Sequence, residues 1–259
     1  MDLGIRGKSA LVCGASRGLG KACALALARE GVDVTIIARN RDMLESAGAE
    51  IGRLTGVRVV TVAADITTNN GRAAAITACP KPDILINNSQ GPLPGDFREW
   101  SRDDWLAALD DMMLGPIEMM RLTVDDMMAR GFGRIVNIVS RSVKVPQVEL
   151  GLSNGARSGL VGFAAGLARQ SVACNVTINN LLPGIFDSDA QYRHIRGMLK
   201  GTNKTFEEVF RERAEANTAK RYGDPAEFGA YCAFLCSAHA GYITGQSLLI
   251  DGGSYPGTF

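Results

Sequence analysis

Short apolar runs alternate with longer amphipathic stretches along most of the chain. The runs are rich in leucine and β-branched residues, which is typical of strands buried on both faces, and the stretches are long enough for helices. Strands are predicted over residues 8–13, 33–38, 57–63, 84–87, 134–139, 175–181 and 247–250. Helices are predicted over residues 22–29, 42–54, 102–130, 156–170 and 226–237. The alternation predicts an α/β fold, with one doubly wound parallel sheet and helices on both faces.

Residues 186–218 interrupt this alternation, because they are rich in polar and charged side chains. They follow the strand predicted over 175–181 and precede the helix predicted over 226–237. Open α/β sheets bind ligands outside the carboxyl ends of their strands. We therefore expect this segment to form a small helical lid over a substrate.

A glycine-rich turn follows the first predicted strand and leads into the first helix. Such a turn lets the backbone approach a pyrophosphate, whose charge is then stabilised by the N-terminus of the helix. This context favours a dinucleotide site in a single Rossmann-type domain spanning residues 1–259 over a simple turn. The residues expected to bind the cofactor here are Gly14, Ser16, Arg17, Gly18, Leu19 and Gly20.

The end of the second strand distinguishes NADP(H) from NAD(H). An NAD site usually has an acid at this strand tip for the ribose hydroxyls. Here the strand ends in Ala38 and Arg39, and no carboxylate is present. Arg39 and Arg17 would suit a 2′-phosphate, since guanidinium groups bind phosphate in a bidentate manner. We expect NADP(H), with NAD(H) as the alternative if both arginines are ordinary surface residues.

Composition excludes several partners. The 28 Lys and Arg residues nearly cancel the 27 Asp and Glu residues, so no overall field favours nucleic acid or an anionic membrane. The first residues do not resemble a signal peptide, and no apolar run is long enough for a membrane span, so we expect a cytoplasmic protein. Six scattered cysteines and two histidines offer no metal site.

Several motifs in order resemble those of the short-chain dehydrogenase/reductase family over essentially the whole chain. They are the glycine loop, Ala64-Asp65-Ile66, Asn87-Asn88-Ser89-Gln90-Gly91, the run from Gly133 to Ser140, Asn180-Leu-Leu-Pro183-Gly184, and the segment from Tyr242 to Gly253. The resemblance implies a Rossmann fold and a nicotinamide cofactor. The further cofactor-binding residues that it implies are Asp65, Ile66, Asn87, Ser89, Arg157, Pro183, Gly184 and Ser188.

The resemblance also implies catalytic positions, and most of them are altered. In this family a tyrosine of a Tyr-x-x-x-Lys motif passes a proton while hydride moves between nicotinamide and carbonyl carbon, and a serine holds the oxygen. Ser140 matches the serine, but the tyrosine and lysine positions fall on Ser153 and Arg157. The position of a supporting asparagine falls on Met112. Register slips do not restore the motif, because every tyrosine lies at residue 192 or beyond.

Serine is a poor substitute for tyrosine in proton transfer. An alkyl hydroxyl is less acidic than a phenol by about six pKa units, which costs about 8 kcal/mol. Ser153 can still hydrogen-bond a substrate oxygen, and Arg157 keeps the positive charge. Three functions stay open: an oxidoreductase with an atypical site, a non-redox enzyme catalysing elimination or isomerisation, and a protein that only binds NADP(H) for regulation.

The proton donor and the substrate are not fixed by the sequence. Candidate donors are Tyr192 and His194 in the expected lid and Lys144 after Ser140, although for each the sequence favours an ordinary surface role. A small-molecule substrate is expected. The basic lid residues Arg193, Arg196, Lys200 and Lys204 are compatible with an anionic or acyl-carrier substrate, and equally with a solvated helix face.

The resemblance implies a homotetramer in which helices around residues 103–128 and 153–170 pair between subunits. The small residues of the second helix are compatible with such close contact. Catalysis is assigned to Ser140, Ser153 and Arg157.

Overall fold

A computed structural model gives the structure of the protein and describes residues 1–199 and 202–258. Seven parallel strands form one sheet in this part of the chain, in the spatial order β3-β2-β1-β4-β5-β6-β7. The strands are β1 (Ser9–Cys13), β2 (Asp33–Ala38), β3 (Val59–Ala63), β4 (Ile84–Asn88), β5 (Gly133–Ile138), β6 (Val176–Pro183) and β7 (Ser247–Ile250). The order reverses between β1 and β4, so the predicted doubly wound parallel sheet is confirmed.

Helices cover both faces of the sheet. They are α1 (Gly18–Arg29), α2 (Arg41–Thr55), α3 (Asn69–Ala78), α4 (Arg102–Leu109), α5 (Gly115–Arg121), α6 (Val124–Ala129), α7 (Gly151–Ser171), α8 (Asp189–Met198), α9 (Phe206–Ala216) and α10 (Pro225–Leu235). Within the described residues, no helix is both long and apolar enough to cross a membrane.

Each strand supplies alternate side chains to two separate apolar cores. On β1, Ala10 and Val12 pack against α1, α2 and α10, whereas Leu11 and Cys13 pack against the helices on the other face. All four side chains are completely buried. Because successive side chains of a strand point to opposite faces, a strand buried on both sides is apolar at most positions. Only the ends of such a sheet remain available for a site.

The prediction of one helix over residues 102–130 is wrong. The chain leaves the α-helix in a π-helical turn, Asp110–Leu114, and the Gly115 N–H bonds to the carbonyl of Asp110. Pro116 follows, and because proline has no N–H, the helix interior cannot continue with regular bonding there. A second interruption occurs at Thr123, whose hydroxyl donates to the Met119 carbonyl at 2.9 Å.

Other predicted bounds differ by a few residues. Helix α1 begins at Gly18 rather than residue 22, because the glycine loop itself forms the first turn. Asn175 was predicted in a strand, but its φ of 57° places it at the end of a turn before β6. Helix α3 was not predicted, since its sequence has few large apolar residues to show a helical period.

Residues of the predicted lid form α8 and α9, which follow β6 and precede α10. A stacked aromatic cluster joins the two helices to the following loop: Tyr192 packs on Phe206, and Phe210 stacks on Tyr222 with ring centroids 4.1 Å apart. Lys200, which was included among the basic residues of this segment, lies outside the described residues.

Candidate active site

The turn between β1 and α1 has a shape that only glycine permits. Gly14 and Gly18 have φ values of 60° and 57°, in the left-handed region. A Cβ added to Gly14 would lie 2.7 Å from the Asn88 carbonyl oxygen, and one added to Gly20 would lie 2.3 Å from the Gly14 carbonyl oxygen. The turn therefore packs tightly on β4 and on its own helix, which leaves its outer side open.

Helix α1 directs its positive end at this open side. Its N-cap residue, Arg17, is extended and makes no side-chain cap. The first N–H groups of a helix lack partners within it, and together with the helix dipole they favour an anion. Ser16, Arg17, Gly18 and Leu19 line the adjoining cavity. The turn and helix end therefore suit a pyrophosphate, as the sequence predicts.

A cavity of about 480 Å³ runs along the carboxyl ends of the strands. Nearly all the residues predicted to bind the cofactor or to catalyse lie on its wall, while Gly20 lies behind the wall in the contact of α1 with the glycine turn. The predicted residues lining the cavity are Gly14, Ser16, Arg17, Gly18, Leu19, Arg39, Asp65, Ile66, Ser89, Ser140, Ser153, Arg157, Pro183, Gly184 and Ser188.

The prediction for Asn87 needs correction. This side chain is 1% exposed and donates to the Asn137 Oδ1 at 2.9 Å inside the sheet, so it does not line the cavity. Its neighbour Asn88 does line the cavity, and its Nδ2 donates to the Gly14 carbonyl at 3.0 Å. Alternate residues of a strand point to opposite sides, so a shift by one residue exchanges a structural role for a site role.

Arg39 and Arg17 lie at the end of the cavity beside the glycine turn. The Arg17 Nε is 3.7 Å from the Asp189 carboxylate, and both side chains are substantially exposed. Asp65 lies on the opposite wall, where its Oδ1 accepts from the Thr67 N–H at 3.0 Å and the Thr67 hydroxyl at 2.8 Å. One oxygen of this carboxylate thus holds its own turn.

Ser140, Ser153 and Arg157 lie together on the cavity wall. Ser140 follows β5, and its Oγ accepts from the Ser142 N–H at 3.1 Å. Ser153 and Arg157 are one helical turn apart on α7, and the Arg157 Nε donates to the Ser153 Oγ at 3.1 Å. The structure therefore brings together the three residues to which catalysis is assigned.

Arg157 is also held by the ends of two strands. Its Nη1 donates to the Ile138 carbonyl at 3.0 Å and its Nη2 to the Ser89 carbonyl at 3.2 Å. Burial lowers the pKa of this guanidinium to about 10, against the opposing effect of Asp111. Arg157 therefore remains protonated at neutral pH and fixes a positive charge beside Ser153, on the cavity wall that Ser140 also lines.

Asp111 is a cavity-lining residue that sequence reasoning missed. It lies in the π-helical turn, next to the buried Met112. Burial raises the pKa of its carboxyl above the ordinary value, the Arg39 and Arg157 charges oppose this, and the Asp65 charge adds to it. If residues 102–130 formed one regular α-helix, the apolar pattern would not indicate that Asp111 faces the cavity.

The three candidate proton donors are placed differently. His194 lines the cavity, whereas Tyr192 and Lys144 do not. The Tyr192 hydroxyl donates to the Asp187 carboxylate, which raises the pKa of the phenol. Lys144 Nζ lies 5.7 Å from the centroid of the Tyr255 ring. Of the three, His194 is therefore the one positioned to face a ligand.

Within the described residues, no tyrosine lines the cavity. Arg213, a residue of α9, lines the cavity, and Tyr222 is the tyrosine nearest to it in sequence. The Tyr222 hydroxyl donates to the Phe210 carbonyl at 3.0 Å. In the described part of the cavity wall, the two serines and the buried Arg157 are therefore accompanied by the carboxyl group of Asp111 and the imidazole of His194. No phenol accompanies them there.

The sheet order, the glycine turn and the cavity at the strand ends define a Rossmann-type α/β protein. A family model described as enoyl-(acyl carrier protein) reductase matches residues 14–255. The NADPH-dependent reductase BacG of Bacillus subtilis (strain 168) is 31% identical over 252 residues, covering 95% of this chain and 97% of that protein. The chain therefore belongs to the short-chain dehydrogenase/reductase family.

Two further comparisons agree with this family. A 3-oxoacyl-[acyl-carrier-protein] reductase of Vibrio harveyi is 29% identical over 259 residues, covering 98% of this chain and 99% of that one. The crystal structure of L-sorbose reductase from Gluconobacter frateurii, complexed with NADPH and L-sorbose, has a TM-score of 0.93 and 28% identity, with 100% of both chains covered. The resemblance indicated by the motifs is confirmed.

Proposed function

We propose that the protein is an NADPH-dependent reductase of small carbonyl compounds with an atypical active site. The observation that carries this proposal is one continuous cavity that joins the glycine turn and Arg39 to Ser140, Ser153 and Arg157. The names of BacG and of the L-sorbose reductase complex, an NADPH-dependent reductase and an NADPH-bound reductase, support the choice of cofactor.

The proposed cofactor would occupy the part of the cavity between the glycine turn and Arg157. The glycine turn and the N-terminus of α1 hold the pyrophosphate, Arg17 and Arg39 hold the 2′-phosphate, and Asp65 and Ile66 flank the adenine. The residues proposed to hold the nicotinamide half are Asn88, Ser89, Arg157, Pro183, Gly184 and Ser188. When bound, the nicotinamide supplies the hydride, so the protein chiefly has to position the carbonyl group.

The two serines orient the substrate oxygen in this proposal. Hydroxyl groups of Ser140 and Ser153 donate hydrogen bonds to the carbonyl, and the fixed charge of Arg157 stabilises the negative charge that develops there. Ser153 does not supply the proton, because an alkyl hydroxyl is too weak an acid. The proton comes from solvent or from the cavity-lining groups Asp111 and His194.

The second candidate function is NADPH binding without efficient catalysis. It is favoured by the absence of a phenol from the cavity wall within the described residues. In that case the triple substitution Met112→Asn, Ser153→Tyr and Arg157→Lys should create or raise activity while NADPH binding persists, because these groups act as a unit.

Three wider features belong to the same proposal. Residues 1–259 act as one NADP(H)-binding domain, with residues 186–218 as the lid over the substrate. The protein assembles as a homotetramer through α4 to α7. It works in the cytoplasm on a small molecule.

The experiment is an NADPH-oxidation assay with a panel of ketones, aldehydes and oxo acids. We expect turnover with at least one carbonyl class, and Ser140→Ala should lower kcat by about 100- to 1,000-fold, the effect of removing a donor to a developing oxyanion. Ser158→Ala is the matched control, because Ser158 is exposed on α7 and does not line the cavity.

NADPH binding is measured on the same proteins by calorimetry. Binding with no oxidation across the panel would support the second candidate instead. Turnover that survives both Ser140→Ala and Ser153→Ala would overturn the assignment of the two serines.

A further inference from the structure

Four basic side chains converge at one end of the cavity, which we call the lid end. They are Arg141 from the turn after β5, Arg193 and His194 from α8, and Arg213 from α9. Arg193 lies within electrostatic range of Arg17, so the lid end adjoins the glycine turn in space although the two are distant in sequence. Arg213 was not singled out in the sequence, because a lone arginine among the charges of α9 looks like any solvated residue.

Arg213 is half-buried and has only neutral partners. Its Nη1 lies 3.3 Å from the Met198 sulfur, and the Gln191 amide oxygen, oriented to accept, lies 3.0 Å from its Nε. The Tyr222 hydroxyl is a further hydrogen-bonding partner. These contacts satisfy N–H groups but leave the positive charge unbalanced.

Arg193 has a buried donor with no partner. Its Nε is inaccessible to solvent and makes no hydrogen bond within the described residues. The Gln90 amide oxygen, oriented to accept, lies 3.3 Å from its Nη2. A buried donor without a partner costs free energy, so the described residues do not fully satisfy the hydrogen-bonding capacity of Arg193.

Neither arginine forms an ion pair within the part of the chain that the structure describes. Burial lowers the pKa of both guanidinium groups. For Arg193 the charge of Arg17 adds to this and Asp189 opposes it. For Arg213 its interactions with Tyr222 and Glu149 oppose it and Arg141 adds to it. Burial and then Arg213 lower the pKa of His194, and Glu149 opposes them. The three arginine charges of the lid end are thus opposed by two carboxylates, neither of which forms an ion pair with Arg193 or Arg213 among the described residues.

We propose that Arg193 and Arg213 bind a carboxylate carried by the carbonyl substrate, so that the protein reduces oxo acids. The planar fork of each guanidinium suits a carboxylate, and a charged hydrogen bond in a partly buried cavity is stronger than a neutral one. This inference rests on the proposed function, because it takes the reacting carbonyl to lie at Ser140 in the same cavity. The carbonyl group of the substrate would then bind at Ser140, Ser153 and Arg157, and its carboxylate would bind at the lid end.

The test compares straight-chain oxo acids of increasing length with their primary amides, in KM and in calorimetric binding to the enzyme saturated with NADP⁺. We expect one chain length to bind about 10- to 100-fold more tightly as the acid. Arg213→Gln and Arg193→Gln should remove most of that preference without changing the affinity for the amide. Arg213→Lys should keep part of it, because the charge remains while the fork is lost.

Two controls separate the lid end from general surface charge. Arg196→Gln on α8 and Arg211→Gln on α9 alter exposed residues that do not line the cavity, and they should leave the preference intact. Equal affinity for acids and amides in the native protein would overturn the proposal, even if NADPH is bound and oxidised normally. So would weakened NADPH binding in Arg193→Gln and Arg213→Gln with unchanged acid preference, because these residues would then serve the cofactor phosphates.

A coenzyme A thioester provides the last arm. If a 3-oxoacyl coenzyme A thioester, whose acyl part has no carboxylate, is the preferred substrate and Arg213→Gln raises its KM, the cations contact the phosphates of the carrier, and the carboxylate proposal is wrong. Failure of the proposed function looks different, since no carbonyl compound of any class, acid or amide, would then be reduced, whether or not NADPH binds.

Discussion

Arg157 shows how one residue can keep the electrostatics of a site while changing its chemistry. Three hydrogen bonds hold its guanidinium between Ser153 and the carbonyl ends of two strands. With a pKa lowered to about 10 by burial, it is charged at neutral pH and does not exchange protons with a substrate. It is therefore suited to stabilise negative charge rather than to relay a proton.

At the residue scale, the sequence indicated the position of the glycine turn, where a motif fixes the backbone, but not the roles that depend on the direction of a single side chain. The glycine turn was located because its glycines are required by φ and by close contacts. Asn87 and Asn88 are identical residue types in adjacent positions, so only the pairing of β4 with its neighbours reveals which one faces the cavity. Asp111 and Arg213 belong to no motif.

Asp111→Asn should stabilise the protein at neutral pH. The raised pKa means that the folded state holds the Asp111 proton more tightly than the unfolded state does. The ionised carboxylate therefore costs stability at pH values above its folded pKa, and this cost disappears below the ordinary aspartate pKa of 3.8, where both states are protonated. Thermal unfolding should show the largest gain near pH 7 and a smaller gain as the pH falls.

Asp110→Asn is the matched control, because Asp110 is the exposed neighbour in the same π-helical turn. It should shift the melting temperature little, because the side chain is exposed. A loss of stability in Asp111→Asn at neutral pH would mean that attraction to Arg39 and Arg157 outweighs burial.

At the scale of elements, the strands were predictable because burial on both faces makes them continuously apolar. The helix over 102–130 failed for a local reason, since apolar periodicity continues across residues where Pro116 and Gly115 change the hydrogen bonding. The interruption has a consequence for the site, because the π-helical turn carries Asp111 and Met112. Helix α3 was missed because a helix rich in alanine and polar residues has little periodicity to detect.

Helix α7 presents a face with room for a second copy of the chain. A Cβ added to Gly162 or Gly166 would meet no atom within 4 Å, and the neighbouring Phe163 is 42% exposed. Leu106 and Leu114 are also more than two-fifths exposed, at 42% and 43%. Small residues beside exposed apolar ones suit close helix packing between subunits.

Gly162→Arg should therefore reduce the proposed homotetramer to smaller species, because a charged side chain would be buried in the interface. Size-exclusion chromatography with light scattering measures this at micromolar concentration. Ala73→Arg, at an exposed position of α3, adds the same charge elsewhere and should leave assembly unchanged. A native protein that is already monomeric would contradict the proposal.

At the scale of the whole molecule, the sheet determines where chemistry can occur. Both faces are covered by helices, so ligands are confined to the strand ends, and a single cavity there reaches from Arg39 to the lid end. The family could be identified from ordered motifs, but the substrate could not, because the lid end is built from residues distant in sequence. The positive charge of the lid end is recognisable only in the structure, where α8 and α9 lie beside the turn after β5.

The central claim is that this cavity holds NADP(H), selected by Arg39 and Arg17. Calorimetric titration of the native protein with NADPH and with NADH tests it most directly, with Arg39→Asp as the variant and the exposed, non-lining Arg41→Asp as the control. We expect NADPH to bind at least about 10-fold more tightly, because charged hydrogen bonds to the 2′-phosphate are absent with NADH. Arg39→Asp should remove or reverse that preference, and Arg41→Asp should preserve it. Equal affinities of the native protein for the two cofactors would contradict the account.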